Sequence, residues 1–121
     1  MSYDISRRII TEVSFVAYNG GPMTEAMYYV LLALMNPNHG YRLMSAITEV
    51  SGGRLNMGPG TLYGVLTRML KEGLIAITFD DGRRKTYIIT KNGEEALQTE
   101  YKRMRAAVTD GRILEEGERN A

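Results

Sequence analysis

Between residues 4 and 18 apolar side chains return at Ile5, Ile9, Val13 and Val16, a spacing that lines one side of a helix. Asn19, Gly20, Gly21 and Pro22 interrupt that pattern. Thr24 is a good N-cap for a second helix, which runs through Met35 and is apolar nearly all round, as a core element is. Pro37 ends it. A third helical segment, Gly40 to Ser51, turns Leu43, Met44, Ile47 and Val50 inward. The connection SGGRLNMGPG, residues 51 to 60, leads into a fourth helix over residues 61 to 73. There Leu62, Val65, Leu66, Met69 and Leu70 form the core-facing stripe, and Gly73 stands where glycine usually ends a helix.

After Gly73 the period changes. LIAITF at 74 to 79 and TYIIT at 86 to 90 are branched and aromatic runs that predict strands. DDGRRK lies between them, and its Asp-Gly pair predicts a hairpin with Arg83, Arg84 and Lys85 at the tip. Thr90 can cap a last helix, in which Leu97, Tyr101, Met104 and Val108 form a narrow stripe suited to pairing with another helix. Gly111 ends or weakens that helix, and EEGERNA reads as a frayed, charged tail.

Four helices, a β-hairpin and a further helix make a mostly α fold with a small β-hairpin: a winged helix-turn-helix with additional helices at its amino and carboxy ends. The expected organisation is an additional helix over 1–20, the winged helix over 22–90, a dimerisation helix over 91–115 and a flexible tail over 116–121. The helix 61–73 takes the recognition position. Its outward face carries Gly64, Thr67, Arg68 and Lys71, with Thr61 and Tyr63 at the edges. A helix-interior glycine is less favourable than alanine by roughly 1 kcal/mol, so Gly64 marks a candidate close approach.

Composition narrows the function classes. At 121 residues the chain makes one domain, and its lack of cysteine removes disulfides and thiolate metal sites, as expected in a reducing compartment. The longest strongly apolar run, AMYYVLLALM at 26 to 35, is too short for a bilayer span of about 20 residues. Asp4, Arg7, Arg8 and Glu12 break up any signal-like apolar core, so a soluble, cytoplasmic protein is expected. Arg7 and Arg8 alone do not make a basic membrane-surface helix.

Net charge is +1, but its distribution is uneven. Residues 54 to 91 carry seven basic side chains (Arg54, Arg68, Lys71, Arg83, Arg84, Lys85, Lys91) against three acidic ones (Glu72, Asp80, Asp81), a local excess of +4. A basic recognition helix beside a basic wing is the electrostatic footprint of a nucleic-acid partner.

Catalytic alternatives fare poorly. Gly58, Gly60 and Gly64 lack the spacing and preceding strand of a dinucleotide loop. His39 is the only histidine and sits before a helix, where capping or local hydrogen bonding is its expected role. Asp80 and Asp81 lie at a hairpin turn, which favours aspartate for backbone reasons. The chain reads as a non-enzyme without cofactor or metal. The alternative binding class is a winged helix used only for protein contacts, its basic face merely solvated.

The sequence resembles the PadR family of bacterial transcriptional regulators. HGYRL at 39 to 43, GPGTLYGVLTRMLKEGLI at 58 to 75, GRRKTYIIT at 82 to 90 and the glycine-bearing start of the last helix carry the resemblance, over roughly residues 24 to 110. It implies a dimer whose winged helices bind an inverted-repeat operator in double-stranded DNA, with recognition helices about 34 Å apart. It also implies a repressor released by a small aromatic or hydrophobic effector, in the compact subfamily with a short helical arm. Two departures stand out: Thr86 precedes Tyr87 after the wing cations, and no tryptophan is present for stacking on a planar ligand, Met104 occupying the comparable face.

The expected DNA contacts are Thr61, Thr67 and Arg68 from the recognition helix, with Arg68 as the direct reader of guanine. Lys71, Tyr41 and Tyr63 are assigned to the phosphate backbone, and Arg83, Arg84 and Lys85 to the flanking backbone or minor groove. The expected dimer and ligand interface is Leu97, Tyr101, Met104 and Val108, flanked by Ile9, Val13 and Val16.

Overall fold

The computed structural model describes residues 21–119, so the amino-terminal helix and its Ile9, Val13 and Val16 lie outside the described residues. Thr24 caps helix α1 (Glu25–Ala33), its Oγ1 accepting the Met27 N–H at 3.1 Å. Leu34 and Met35 close the helix in a tightened turn, Met35 N–H bonding Leu32 O at 3.3 Å, before Pro37. Helix α2 (Gly40–Val50) and helix α3 (Pro59–Lys71) pack against α1, and the long helix α4 (Lys91–Asp110) lies across it.

Met27, Val30, Leu31 and Leu34 of the α1 region, Leu43 and Ile47 of α2, and Leu62, Leu66 and Met69 of α3 form the core. Ile75, Ile89 and Leu97 close it from the sheet and α4. Each such side chain contributes about 1.5–3 kcal/mol when withdrawn from water. Val50, expected to face inward, is instead 49% exposed: it is the last residue of α2, where the chain turns away through Gly52 and Gly53.

The sheet has three strands, not the two of a lone hairpin. Strand β1 (Asn38–His39) pairs antiparallel with β3 (Lys85–Ile89), which pairs antiparallel with β2 (Ile75–Asp80), giving the order β1-β3-β2. Asn38 lies opposite Tyr87 and His39 opposite Thr86, so the entrance to α2 is tied to the base of the wing. A bulge at Thr78 interrupts the β2–β3 register between Ile77 and Phe79.

Thr90 joins sheet to helix. Its Oγ1 accepts the Gly93 N–H at 2.9 Å and donates to Gly73 O at 2.7 Å, capping α4 against the end of α3. Helix α4 ends at Gly111, and helix α5 (Ile113–Arg119) follows where the sequence reading puts a frayed tail. Glu115 and Glu116 lie in the first turn of α5, where acidic side chains complement the helix dipole. Among the described residues no helix is long and apolar enough to cross a membrane.

Candidate nucleic-acid interface

Helix α3 has a rigid opening and a firm stop. Gly58 is its N-cap without a side-chain bond, and Pro59 occupies the first turn, where a missing N–H leaves no gap. At the other end Gly73 adopts φ +75°; its N–H bonds Leu70 O at 3.1 Å and Leu74 N–H bonds Met69 O at 3.0 Å. This paired closure is the Schellman arrangement. Leu62, Leu66 and Met69 anchor the inner face, while Thr61, Tyr63, Gly64, Thr67, Arg68 and Lys71 are exposed.

The wing stands across a groove from this helix. A cavity of about 480 Å³ is lined by Tyr63, Leu66, Thr67 and Leu70 of α3, by His39, Gly40 and Tyr41 at the start of α2, by Gly82 to Lys85 of the wing, and by Tyr87. The structure thus brings together six of the predicted contact residues: Tyr41, Tyr63, Thr67, Arg83, Arg84 and Lys85. Thr61, Arg68 and Lys71 lie outside that groove, on the solvent face of α3.

Arg68 is in the last turn of α3, with Nε 3.4 Å from Glu72 Oε1, an ion pair without hydrogen-bond geometry. The guanidinium expected to read guanine thus stands at the carboxy-terminal end of α3 with an acidic neighbour one turn on. Thr67 Oγ1 donates to Tyr63 O at 2.8 Å, which fixes the hydroxyl and leaves its lone pairs outward. Arg54, counted in the basic segment, is engaged elsewhere: its Nη2 donates to Tyr29 Oη at 2.5 Å.

The wing tip is a four-residue turn, Asp81 to Arg84, closed by the Asp80–Lys85 pair. Asp81 Oδ1 accepts the N–H groups of Arg83 at 3.0 Å and Arg84 at 2.7 Å, and Asp80 Oδ1 accepts that of Gly82 at 2.9 Å. The Arg83 and Arg84 N–H groups hold the Asp81 carboxyl below the ordinary aspartate range. Both aspartates therefore shape the turn. No ion pair joins Arg83, Arg84 or Lys85 to another described residue, so their charge projects outward.

Sequence reasoning missed the contribution of the α2 entrance. His39 is the N-cap yet makes no side-chain capping bond, so the first N–H groups of α2 keep no side-chain acceptor at the rim of the groove. Such helix starts receive anions. Tyr41 is 79% exposed beside them, and burial raises the Tyr87 hydroxyl above its ordinary pKa on the groove floor. The signal lay in the two-residue strand, too short for any hydrophobic pattern. Among the described residues no group of three or more acidic or histidine side chains is placed to hold a metal.

Of the predicted interface stripe on α4, Leu97 is 6% exposed within the protomer core and so is not offered to a partner. Tyr101 and Val108 are exposed and Met104 half-buried, and they border a second cavity of about 400 Å³ with Tyr28, Arg105 and Arg112.

Comparison with known proteins agrees with this architecture. Residues 30–99 match the family described as Transcriptional regulator PadR-like. An uncharacterised 37.1 kDa protein of a Streptomyces fradiae transposon is 40% identical over 92 residues, covering 75% of this chain and 26% of that protein. The chain spans 26–30% of the length of the curated relatives it matches. The crystal structure of a PadR family transcriptional regulator from Eggerthella lenta is 28% identical, with a TM-score of 0.61 over 74% of this chain and 80% of that one. Bacillus subtilis PadR in complex with operator DNA is 25% identical, with a TM-score of 0.56 over 65% of this chain and 46% of that one. With more than half its residues inside the family match, the chain belongs to the PadR-like family of transcriptional regulators, which are not enzymes.

Proposed function

We propose that this protein is a cytoplasmic, homodimeric, sequence-specific DNA-binding repressor that recognises an inverted-repeat operator and is released by a small aromatic or hydrophobic effector. The observation that carries the reading is the groove where the polar face of α3 meets three outward wing cations and the uncapped start of α2. In this reading α3 lies in the major groove, with Thr61, Thr67 and Arg68 toward the bases. Tyr41, Tyr63 and Lys71 meet phosphates, and Arg83, Arg84 and Lys85 follow the flanking backbone or minor groove. The family supports this use of the fold, and the B. subtilis relative was solved with operator DNA.

Dimerisation follows from the shortness of α3, since 13 residues make a helix of about 20 Å and read one half-site weakly. Exposed Tyr101 and Val108 supply the seam, and the adjoining cavity, with its two tyrosines and Met104, suits a flat apolar effector.

The test is fluorescence anisotropy with duplex DNA from upstream of the protein's own gene, a scrambled duplex, several salt concentrations and an Arg83/Arg84→Ala variant. The expected result is sequence-preferring binding that weakens with salt and falls in the variant. Equal, weak binding to both duplexes, persisting in a genome-wide binding-site selection, would replace this reading with a winged helix devoted to protein contacts.

A further inference from the structure

Several glycines of this chain have a reason inside the chain, while Gly60 in the first turn of α3 and Gly58 before it stand, like Gly64, in open space. Gly73 and Gly82 adopt left-handed backbone, with φ of +75° and +85°. Gly40 and Gly93 are covered by atoms that leave no room for a Cβ. Gly64 has neither reason. It lies in the middle of α3 without a positive φ, and a Cβ built there meets nothing within 4 Å. Nothing among the described residues asks for glycine at this position, although glycine weakens a helix interior relative to alanine.

Its placement on the helix supplies the missing reason. At about 100° per residue, Gly64 stands roughly 170° from the centre of the buried Leu62–Leu66–Met69 stripe. It is therefore the innermost point of α3 toward whatever the helix faces. Neighbouring Tyr63 and Thr67 line the groove shared with the wing, so Gly64 is flanked by the side chains offered to that partner.

We infer that Gly64 is a specificity-determining residue of the recognition helix: its bare Cα lets the α3 backbone approach the base edges closely enough for Thr61 and Thr67 to reach them. The inference rests on the reading of α3 as the DNA-contacting helix. A methyl group at 64 holds the helix axis away from the groove floor and weakens base contacts, while the wing cations keep their phosphate contacts. Stability and specific affinity then move in opposite directions, which a merely structural glycine does not do.

The experiment compares wild type with Gly64→Ala on a duplex recovered by binding-site selection with the wild-type chain, and on a scrambled duplex. The expected result is a rise in Tm of roughly 2–6 °C, from the better helix former. With it comes a loss of roughly tenfold or more in affinity for the selected duplex, the scale of one lost base contact. Affinity for the scrambled duplex and its salt dependence stay unchanged. An unchanged or higher affinity for the selected duplex overturns the inference, and so does a fall in Tm, which would reveal an internal reason for the glycine. If wild type itself yields no preferred duplex, the DNA-binding reading fails and this inference with it, an outcome distinct from failure of the variant alone.

Discussion

The Tyr63 ring rests on the bare Cα of Gly40: a Cβ built there lies 2.8 Å from the ring Cζ and nearer still to the hydroxyl oxygen. The contact keys α3 onto the first residue of α2 and fixes one wall of the groove beside the wing.

Gly40→Ala therefore forces the ring aside. Because the obstructing atoms are the end of a side chain that is 47% exposed, the cost is modest, about 1 kcal/mol, and Tyr63→Leu in the same background recovers it. Gly93→Ala is the contrasting case. There the Cβ meets the backbone carbonyl of Leu74 and lies 2.8 Å from Ile89 Cγ1, neither of which can swing away. Its expected cost is roughly 3 kcal/mol. Urea denaturation of the variants checks both, and equal costs at the two glycines would contradict this account.

Thr90 supplies the second prediction. Its buried hydroxyl serves Gly73 O and the Gly93 N–H at once, so Thr90→Val leaves a carbonyl and an N–H unsatisfied in the protein interior. A loss of about 2–3 kcal/mol is expected. Thr90→Ser keeps both bonds and should remain within about 1 kcal/mol of wild type. Thermal unfolding of the pair decides the matter, and a Val variant as stable as the Ser variant would remove the hydroxyl from the account.

Thr90 also illustrates what was legible in the sequence. Thr24, Thr90 and Gly73 announce helix boundaries because a cap depends on one residue's own chemistry and a few neighbours. Strand β1 does not, since two residues held by backbone bonds to β3 carry no side-chain pattern. The α4 stripe is continuous in sequence yet divided in space. Leu97 lies over the α1 core, whereas Val108, about 16 Å further along the helix axis, is 74% exposed beyond it. The helix face puts Arg68 outward, whereas its ion pair with Glu72 depends on the side-chain conformations at the end of α3. Gly40 and Gly64 look alike as letters; only the surroundings separate the covered Gly40 of α2 from the open Gly64 of α3.

The third prediction concerns pH. Arg103 donates to both oxygens of buried Glu100, Nε to Oε1 at 3.0 Å and Nη2 to Oε2 at 2.6 Å. These hydrogen bonds, aided by the Met23 N–H, hold the Glu100 carboxyl below the ordinary glutamate range against the opposing effect of burial. A carboxyl whose pKa is lower folded than unfolded stabilises the fold above its unfolded pKa. That contribution disappears as pH falls through the ordinary glutamate range, near 4.3, toward the lower folded value. Glu100→Gln should therefore flatten the stability profile below about pH 5, measured by urea denaturation between about pH 7 and pH 3. An unchanged acid limb would show that other carboxylates set it.

Arg68 and Glu72 yield a prediction about binding. Arg68 is half-exposed and Glu72 Oε1 lacks a hydrogen-bond partner, so Glu72→Gln should change stability by less than about 1 kcal/mol. Freed from its acidic neighbour, Arg68 becomes more available to DNA, and affinity should rise about two- to fivefold at low salt. Arg68→Ala separates its roles on selected and scrambled duplexes. A base reader loses roughly tenfold on the selected duplex only, whereas a phosphate contact weakens both about equally. Unaltered affinity in both variants would leave Arg68 as a solvated end of α3.

The last prediction tests the seam. Tyr101 is 49% exposed and Val108 74%, and on the following helix Ile113 and Leu114 are 70% and 75% exposed. In the proposed dimer such exposed apolar side chains are the ones a partner would cover. The proposed partner is a second copy, since two linked chains would present two recognition helices to one duplex. Val108→Glu places a charge in that seam without touching the core, so its expected effect is a dimer reduced to a monomer with the protomer's helical signal retained. Operator affinity should fall by about a hundredfold or more, since two linked half-site contacts become one. Leu97→Glu, by contrast, buries its charge inside the protomer and should unfold it. Sedimentation velocity at micromolar protein separates these outcomes: a monomeric wild type, or a Val108→Glu variant that still sediments at twice the chain mass, would remove the seam from α4.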